Sequence, residues 1–113
     1  MVAKVNPSDR QSAQLAVAMV AYATRVSPDH LLTRERGSQT TAKARQTAMY
    51  LTYVGFGMSL ARVALAFGRD RSTVAHACRL IEDARDDPDF DDWLNQVEAS
   101  LQLMAPLTIK RAA

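Results

Sequence analysis

Cysteine is nearly absent from the chain. Cys78 is the only one in 113 residues, so no internal disulfide can form and a reducing, cytoplasmic setting is the expected home. His30 and His76 cannot complete a zinc site with it, because they are too few and residues 76 and 78 diverge on a helix. No charged segment followed by an apolar core opens the sequence, so no secretory signal is expected. No apolar run approaches bilayer length, so no membrane span is expected. Aromatic residues make up only 6%, too few for an evident stacking platform, which weakens an RNA-binding reading. A GxxxxGK[ST] phosphate loop is missing, and a chain of this length has no room for an ATPase module. Ser72 and His76 stand four apart, but no orienting carboxylate or oxyanion site accompanies them, so the chain reads as not an enzyme and as needing no cofactor or metal.

What remains is rich in Ala, Leu, Arg, Met and Gln, with only four glycines and four prolines. That composition predicts an all-α fold, one small helical domain over residues 1–113. The net charge is only +2, yet it is unevenly placed. Residues 34–79 hold eight cations (Arg34, Arg36, Lys43, Arg45, Arg62, Arg69, Arg71, Arg79) against Glu35 and Asp70, a net +6. Residues 80–104 reverse this, with Arg85 against eight acids, a net −7. A basic middle suits a polyanion, and an acidic tail would face away from one.

Hydrophobic spacing and capping residues divide the chain into helices. Residues 1–7 read as frayed. Ser8 or Asp9 caps a first helix to about Arg25, with Leu15, Met19 and Tyr22 at helical spacing. Ser27-Pro28-Asp29 starts a short second helix, about residues 30–33. A polar loop over residues 34–41 follows, and Thr40 or Thr41 caps a third helix, about 42–54, with Ala44, Ala48 and Leu51 on one stripe and Met49 and Tyr50 beside it. Gly55 and Gly57 end it by entering the left-handed region. Ser59 caps residues 60–67, where Leu60, Val63, Ala64 and Phe67 repeat at i, i+3, i+4, i+7. Gly68 permits a turn, and Asp70 caps residues 71–84, where Val74, Ala77, Cys78 and Ile81 repeat the same spacing. Asp87-Pro88 opens a last, acidic helix, about 88–104. Its Phe90, Trp93, Leu94, Val97 and Leu101 either complete this chain's own core or pair with a second copy or another protein; core packing is the default. Asp87, Asp89, Asp91 and Glu98 superficially match a calcium loop, but Asp92 occupies the place of the sharp-turn glycine, so a helix start is the better reading.

Residues 59–84 therefore outline a helix-turn-helix, whose second helix carries polar and basic side chains into a DNA groove. Ser72, His76, Arg79 and Asp83 lie opposite the apolar stripe. Asp70, Arg71, Ser72 and Thr73 form the end that reaches base edges. Arg71 suits guanine O6 and N7, Ser72 and Thr73 offer hydroxyls, the Thr73 methyl suits thymine, and Asp70 suits a cytosine amino group. Lys43, Arg45, Arg62, Arg69, His76 and Arg79 are expected to hold phosphates.

Residues 42–82 resemble the C-terminal DNA-binding domain of the bacterial replication initiator DnaA. The likeness rests on Ala44-Arg45-Gln46, Ala48-Met49-Tyr50-Leu51, Ser59-Leu60 and the string Arg69-Asp70, Ser72-Thr73-Val74, His76-Ala77. It covers most of residues 30–82 and extends loosely back to Ala16. It implies a helical domain of the Trp-repressor-like type, with the helix-turn-helix in the major groove and a basic loop at the minor groove or backbone. Asp70, Ser72 and Thr73 match base-contacting positions of that family, and Lys43 and Arg45 match its phosphate-contacting stretch. Two departures fall on specificity positions. Arg71 replaces a His in a turn one residue shorter, and Gln39 stands where the family places a minor-groove arginine. The implied role is a sequence-specific reader of double-stranded DNA, nucleoid-associated, acting as a transcriptional regulator or a modulator of origin-like sites. The alternative is an adaptor that keeps the fold but binds a replication or transcription protein through the acidic last helix.

Overall fold

The computed structural model describes residues 4–33 and 37–104. Arg34, Glu35 and Arg36 of the expected basic loop, and residues 1–3 of the expected frayed start, lie outside them. Among the described residues the chain forms six helices: α1 (Pro7–Thr24), α2 (Pro28–Leu32), α3 (Gln39–Gly55), α4 (Leu60–Phe67), α5 (Arg71–Ala84) and α6 (Pro88–Leu103). The all-α class is as the composition implies.

Side-chain caps set most of the starting points. Ser27 Oγ accepts from Asp29 N–H at 3.2 Å, Ser59 Oγ from Arg62 N–H at 3.2 Å, and Asp87 Oδ1 from Asp89 N–H at 3.0 Å. Each fills one of the amide donors that a helix start leaves unpaired. Two starts lie earlier than expected. Asn6, not Ser8 or Asp9, caps α1, which begins at Pro7. Ser38, not Thr40 or Thr41, caps α3, accepting from Thr41 N–H at 3.1 Å. Gln39 is therefore helical rather than part of a loop.

α3 is the hub, packed against all five other helices. Its Ala44, Ala48, Met49, Tyr50 and Leu51 are buried, as are Val74, Ala77, Cys78 and Ile81 of α5 and Leu94, Val97 and Leu101 of α6. Each large aliphatic side chain among them contributes about 1.5–3 kcal/mol of burial free energy. Phe90 and Trp93 are half-buried against this core, so α6 packs on its own chain. α1 differs from expectation: it buries Ala13, Ala16, Val17, Val20 and Ala21, leaves Leu15 and Met19 half-buried, and exposes Tyr22 by 90%. Ala13, Ala16, Val17 and Val20 repeat at i, i+3, i+4, i+7, and these compact side chains admit the close neighbour α3.

The turn between α4 and α5 closes as the spacing predicts. Gly68 takes φ +62°, Arg69 N–H bonds Ala64 O at 2.9 Å, and Gly68 N–H bonds Leu65 O at 3.2 Å. This is the two-bond Schellman closure that a left-handed residue makes available. Gly57 is likewise left-handed, at φ +64°. Gly55 is not: it stays helical and serves a different purpose, because a Cβ there would come 3.0 Å from Leu101 Cδ1 of α6.

Candidate nucleic-acid interface

The amino end of α5 projects from the fold on the apolar stripe beneath it. Asp70, Arg71, Ser72 and Thr73 are all exposed, and no hydrogen bond within the described residues engages the side chains of Arg71, Ser72 or Thr73. Asp70 holds the N-cap position with an extended backbone, but its carboxylate makes no capping bond. His76 and Arg79 lie farther along the same helix, also exposed. A carboxylate, a guanidinium and two hydroxyls are thus presented from one helical turn, with Val74 fully buried behind them.

The cations around this end fall into two groups. Lys43, Arg71 and Arg79 are exposed. Lys43 Nζ sits 4.8 Å from the centre of the Phe90 ring, a cation–π contact on the α6 side of α3. Arg45, Arg62 and Arg69 are instead engaged by the protein. Arg45 is 6% exposed, and its guanidinium donates to Leu31 O at 3.1 Å and His30 O at 2.8 Å. Burial, and then the charge of nearby Arg69, lower its pKa from the ordinary arginine value. Arg69 donates to Thr33 O. Two guanidinium groups thus gather on the carboxyl end of α2, where helix carbonyls lack intrahelical partners and a positive charge complements the dipole.

Arg62 donates twice to buried Asp9 of α1, at 2.9 Å and 2.5 Å. The Arg62 hydrogen bonds hold the Asp9 carboxyl below its ordinary value against the opposing effect of burial. Arg45, expected at a phosphate, here points its guanidinium inward, because it shares the helical stripe of Ala48, Met49 and Thr52, all buried. That i, i+3, i+4, i+7 spacing was the signal available in the sequence.

Thr73 and His76 meet Arg45, Arg69, Ala42, Gln46 and Met49 along a groove between α3 and α5. Gln46 is not among the contacts expected from the sequence. It precedes Met49 and Tyr53 by helical spacing and so faces α5, with an amide able to donate to a phosphate or a base edge. Gln39 is exposed at the first turn of α3.

The remaining titratable groups have structural places. Cys78 is buried, and burial, then Glu82, push its thiol up to about 11. It is a small core residue, while His76 is exposed on another face. Asp87 caps α6, and Asp91 and Glu98 both pair with Arg85, at 2.5 Å and 2.7 Å. The acidic run therefore starts a helix. Among the described residues no helix is long and apolar enough to cross a membrane.

Comparison with known proteins bears on this geometry. Residues 14–81 match the family model for the bacterial dnaA protein helix-turn-helix. Over 66 residues the chain is 46% identical to the chromosomal replication initiator protein DnaA of Mesorhizobium japonicum, and 44% identical to that of Brucella abortus. These alignments cover 58% of this chain but 13% of either relative. The crystal structure of a DNA replication initiation factor superposes with a TM-score of 0.73 at 30% identity, covering 83% of this chain and 29% of that one.

Proposed function

The chain belongs to the bacterial DnaA helix-turn-helix family, and from that premise we propose that it reads double-stranded DNA through the amino end of α5. The observation that carries the proposal is the exposed turn of Asp70, Arg71, Ser72 and Thr73, whose side chains make no hydrogen bond among the described residues and which is seated on a buried stripe. Arg71 supplies a paired donor for guanine, Ser72 and Thr73 supply short hydroxyls, and the uncapped Asp70 carboxylate accepts from a cytosine amino group. Lys43, Arg79 and His76, with Gln39 and Gln46 on α3, hold the backbone on either side. Arg45 and Arg69 set the carboxyl end of α2 beside the contact, and Arg62 joins α4 to α1.

This assignment favours a regulator of transcription or a modulator of origin-like sites, working in the cytoplasm on the nucleoid. The turn places Arg71 where the family has a His, so the preferred duplex differs from the initiator's own at that position. Selection from a random duplex library at low salt tests the proposal and recovers the site in one step. A chain that enriches no sequence and shows no salt-sensitive binding would refute it.

One observation favours a second reading, an adaptor. Tyr22, 90% exposed, stands with Met19, Ala18 and Ala23 beside Trp93 and Val97, an apolar groove between α1 and α6. An adaptor would retain its protein partner in the absence of DNA and ignore random duplex.

A further inference from the structure

The carboxyl end of α5 is held by a polar cluster that the proposed DNA contact does not touch. Arg85 follows the last residue of α5, and its side chain is only 15% exposed. Its Nη1 donates to the Tyr50 hydroxyl at 2.9 Å and to Glu98 Oε1 at 2.7 Å. Its Nε donates to Asp91 Oδ1 at 2.5 Å, and its Nη2 to the side chain of Asn95. The Tyr50 hydroxyl in turn donates to Glu82 Oε2 at 2.5 Å, which closes the cluster back onto α5. One guanidinium therefore joins α3, α5 and α6. Burial, then the Glu82 carboxylate, push the Tyr50 phenol up to about 12, so it remains a donor. Burial opposes the charge on Arg85, but its bonds to Asp91, Tyr50 and Glu98 outweigh that and raise its pKa.

We propose that Arg85, acting with Tyr50, is a positioning residue for base reading: it fixes the angle at which the far end of α5 meets the duplex. The inference rests on the DNA-reading proposal above. The apolar stripe of α5 seats the helix, but burial is non-directional and tolerates tilt. Hydrogen bonds from a planar fork do not. The 14 residues of α5 make a lever of about 21 Å. A tilt of about 5° at Arg85 then moves Arg71 by about 2 Å, whereas donor–acceptor distances vary by only about 0.5 Å. Base contacts are lost to such a shift, while long cationic side chains still reach phosphates. Selectivity falls before general affinity does.

The experiment uses the full chain, its selected duplex and a scrambled duplex of equal length and composition. Tyr50→Phe removes one hydroxyl and keeps the ring; Arg85→Lys keeps the charge and loses the fork. Both variants are expected to lower the affinity ratio between the two duplexes by about tenfold, with scrambled-duplex affinity and salt slope unchanged. A lowered ratio in both variants, with each folded by circular dichroism and scrambled-duplex affinity unchanged, supports the positioning role. A ratio within about twofold of the unsubstituted chain while the melting temperature drops would overturn it, because the cluster would then serve stability alone. An unsubstituted chain that binds both duplexes equally would overturn the base-reading proposal itself, and this one with it.

Discussion

Arg71 and Arg45 stand on adjacent helices with opposite surroundings. Arg71 is exposed at the first residue of α5, and Arg45 is buried against the carbonyls of His30 and Leu31. Their alanine variants should therefore fail differently. Arg71→Ala is expected to leave thermal stability unchanged, weaken the selected duplex by about 1–3 kcal/mol and relax one base position. Equal losses on every sequence would remove its base-reading role. Arg45→Ala leaves buried carbonyls without charged donors and should cost about 2–3 kcal/mol of folding free energy, read by urea titration. A cation count over residues 34–79 does not separate these two arginines, since formal charge carries no information about depth. The helical register of Arg45 with Ala48, Met49 and Thr52 does. The exposed turn at Asp70–Thr73 was legible because Val74, Ala77, Cys78 and Ile81 leave only one outward face.

At the scale of elements, punctuation explains which boundaries the sequence reveals. Ser59, Gly68 and Asp70 each stand alone at their junctions, and α4 and α5 begin and end where those residues imply. Before α3, Ser38, Thr40 and Thr41 all have capping chemistry, and the choice of Ser38 is not written in their order. The spacing also cannot distinguish a glycine needed for its φ from one needed for its size. Gly68 has φ +62° with open space around it, so Gly68→Ala is expected to cost about 1 kcal/mol through backbone strain alone.

Gly55 is the other kind: its missing Cβ leaves room for the Leu101 side chain, which is 1% exposed. Gly55→Ala should lower the melting temperature, since overpacking of about 1–3 kcal/mol exceeds the helix-propensity gain. In a Leu101→Ala background the same substitution should cost less, a coupling that would be absent at Gly68. The ion pair between α1 and α4 adds a pH signature. The folded-state pKa of Asp9 is depressed by Arg62. Its stabilisation is therefore complete above the unfolded value and is lost as pH falls below about 4 through the folded value. Asp9→Asn should remove that part of the acid sensitivity, checked by melting curves across pH 2–7.

Across the whole molecule, the division into a basic middle and an acidic tail becomes a division of faces only after internal pairing is counted. Arg62 is matched by Asp9, Arg85 by Asp91 and Glu98, and Arg45 and Arg69 are turned onto the end of α2. The cations left to meet a duplex are fewer than the formal +6 of residues 34–79 suggests. Of the cations in that span, Lys43, Arg71 and Arg79 remain exposed among the described residues, and Arg34 and Arg36 lie outside them. Each neutralised phosphate contributes about −0.9 to the slope of log affinity against log salt, so Lys43, Arg71 and Arg79 together contribute about −3 to it. Arg79→Ala should make that slope shallower by about 0.9, whereas Arg62→Ala, whose charge is already neutralised, should leave it alone and lower stability instead. A slope that responds equally to both substitutions would mean that Asp9 releases Arg62 when the duplex binds.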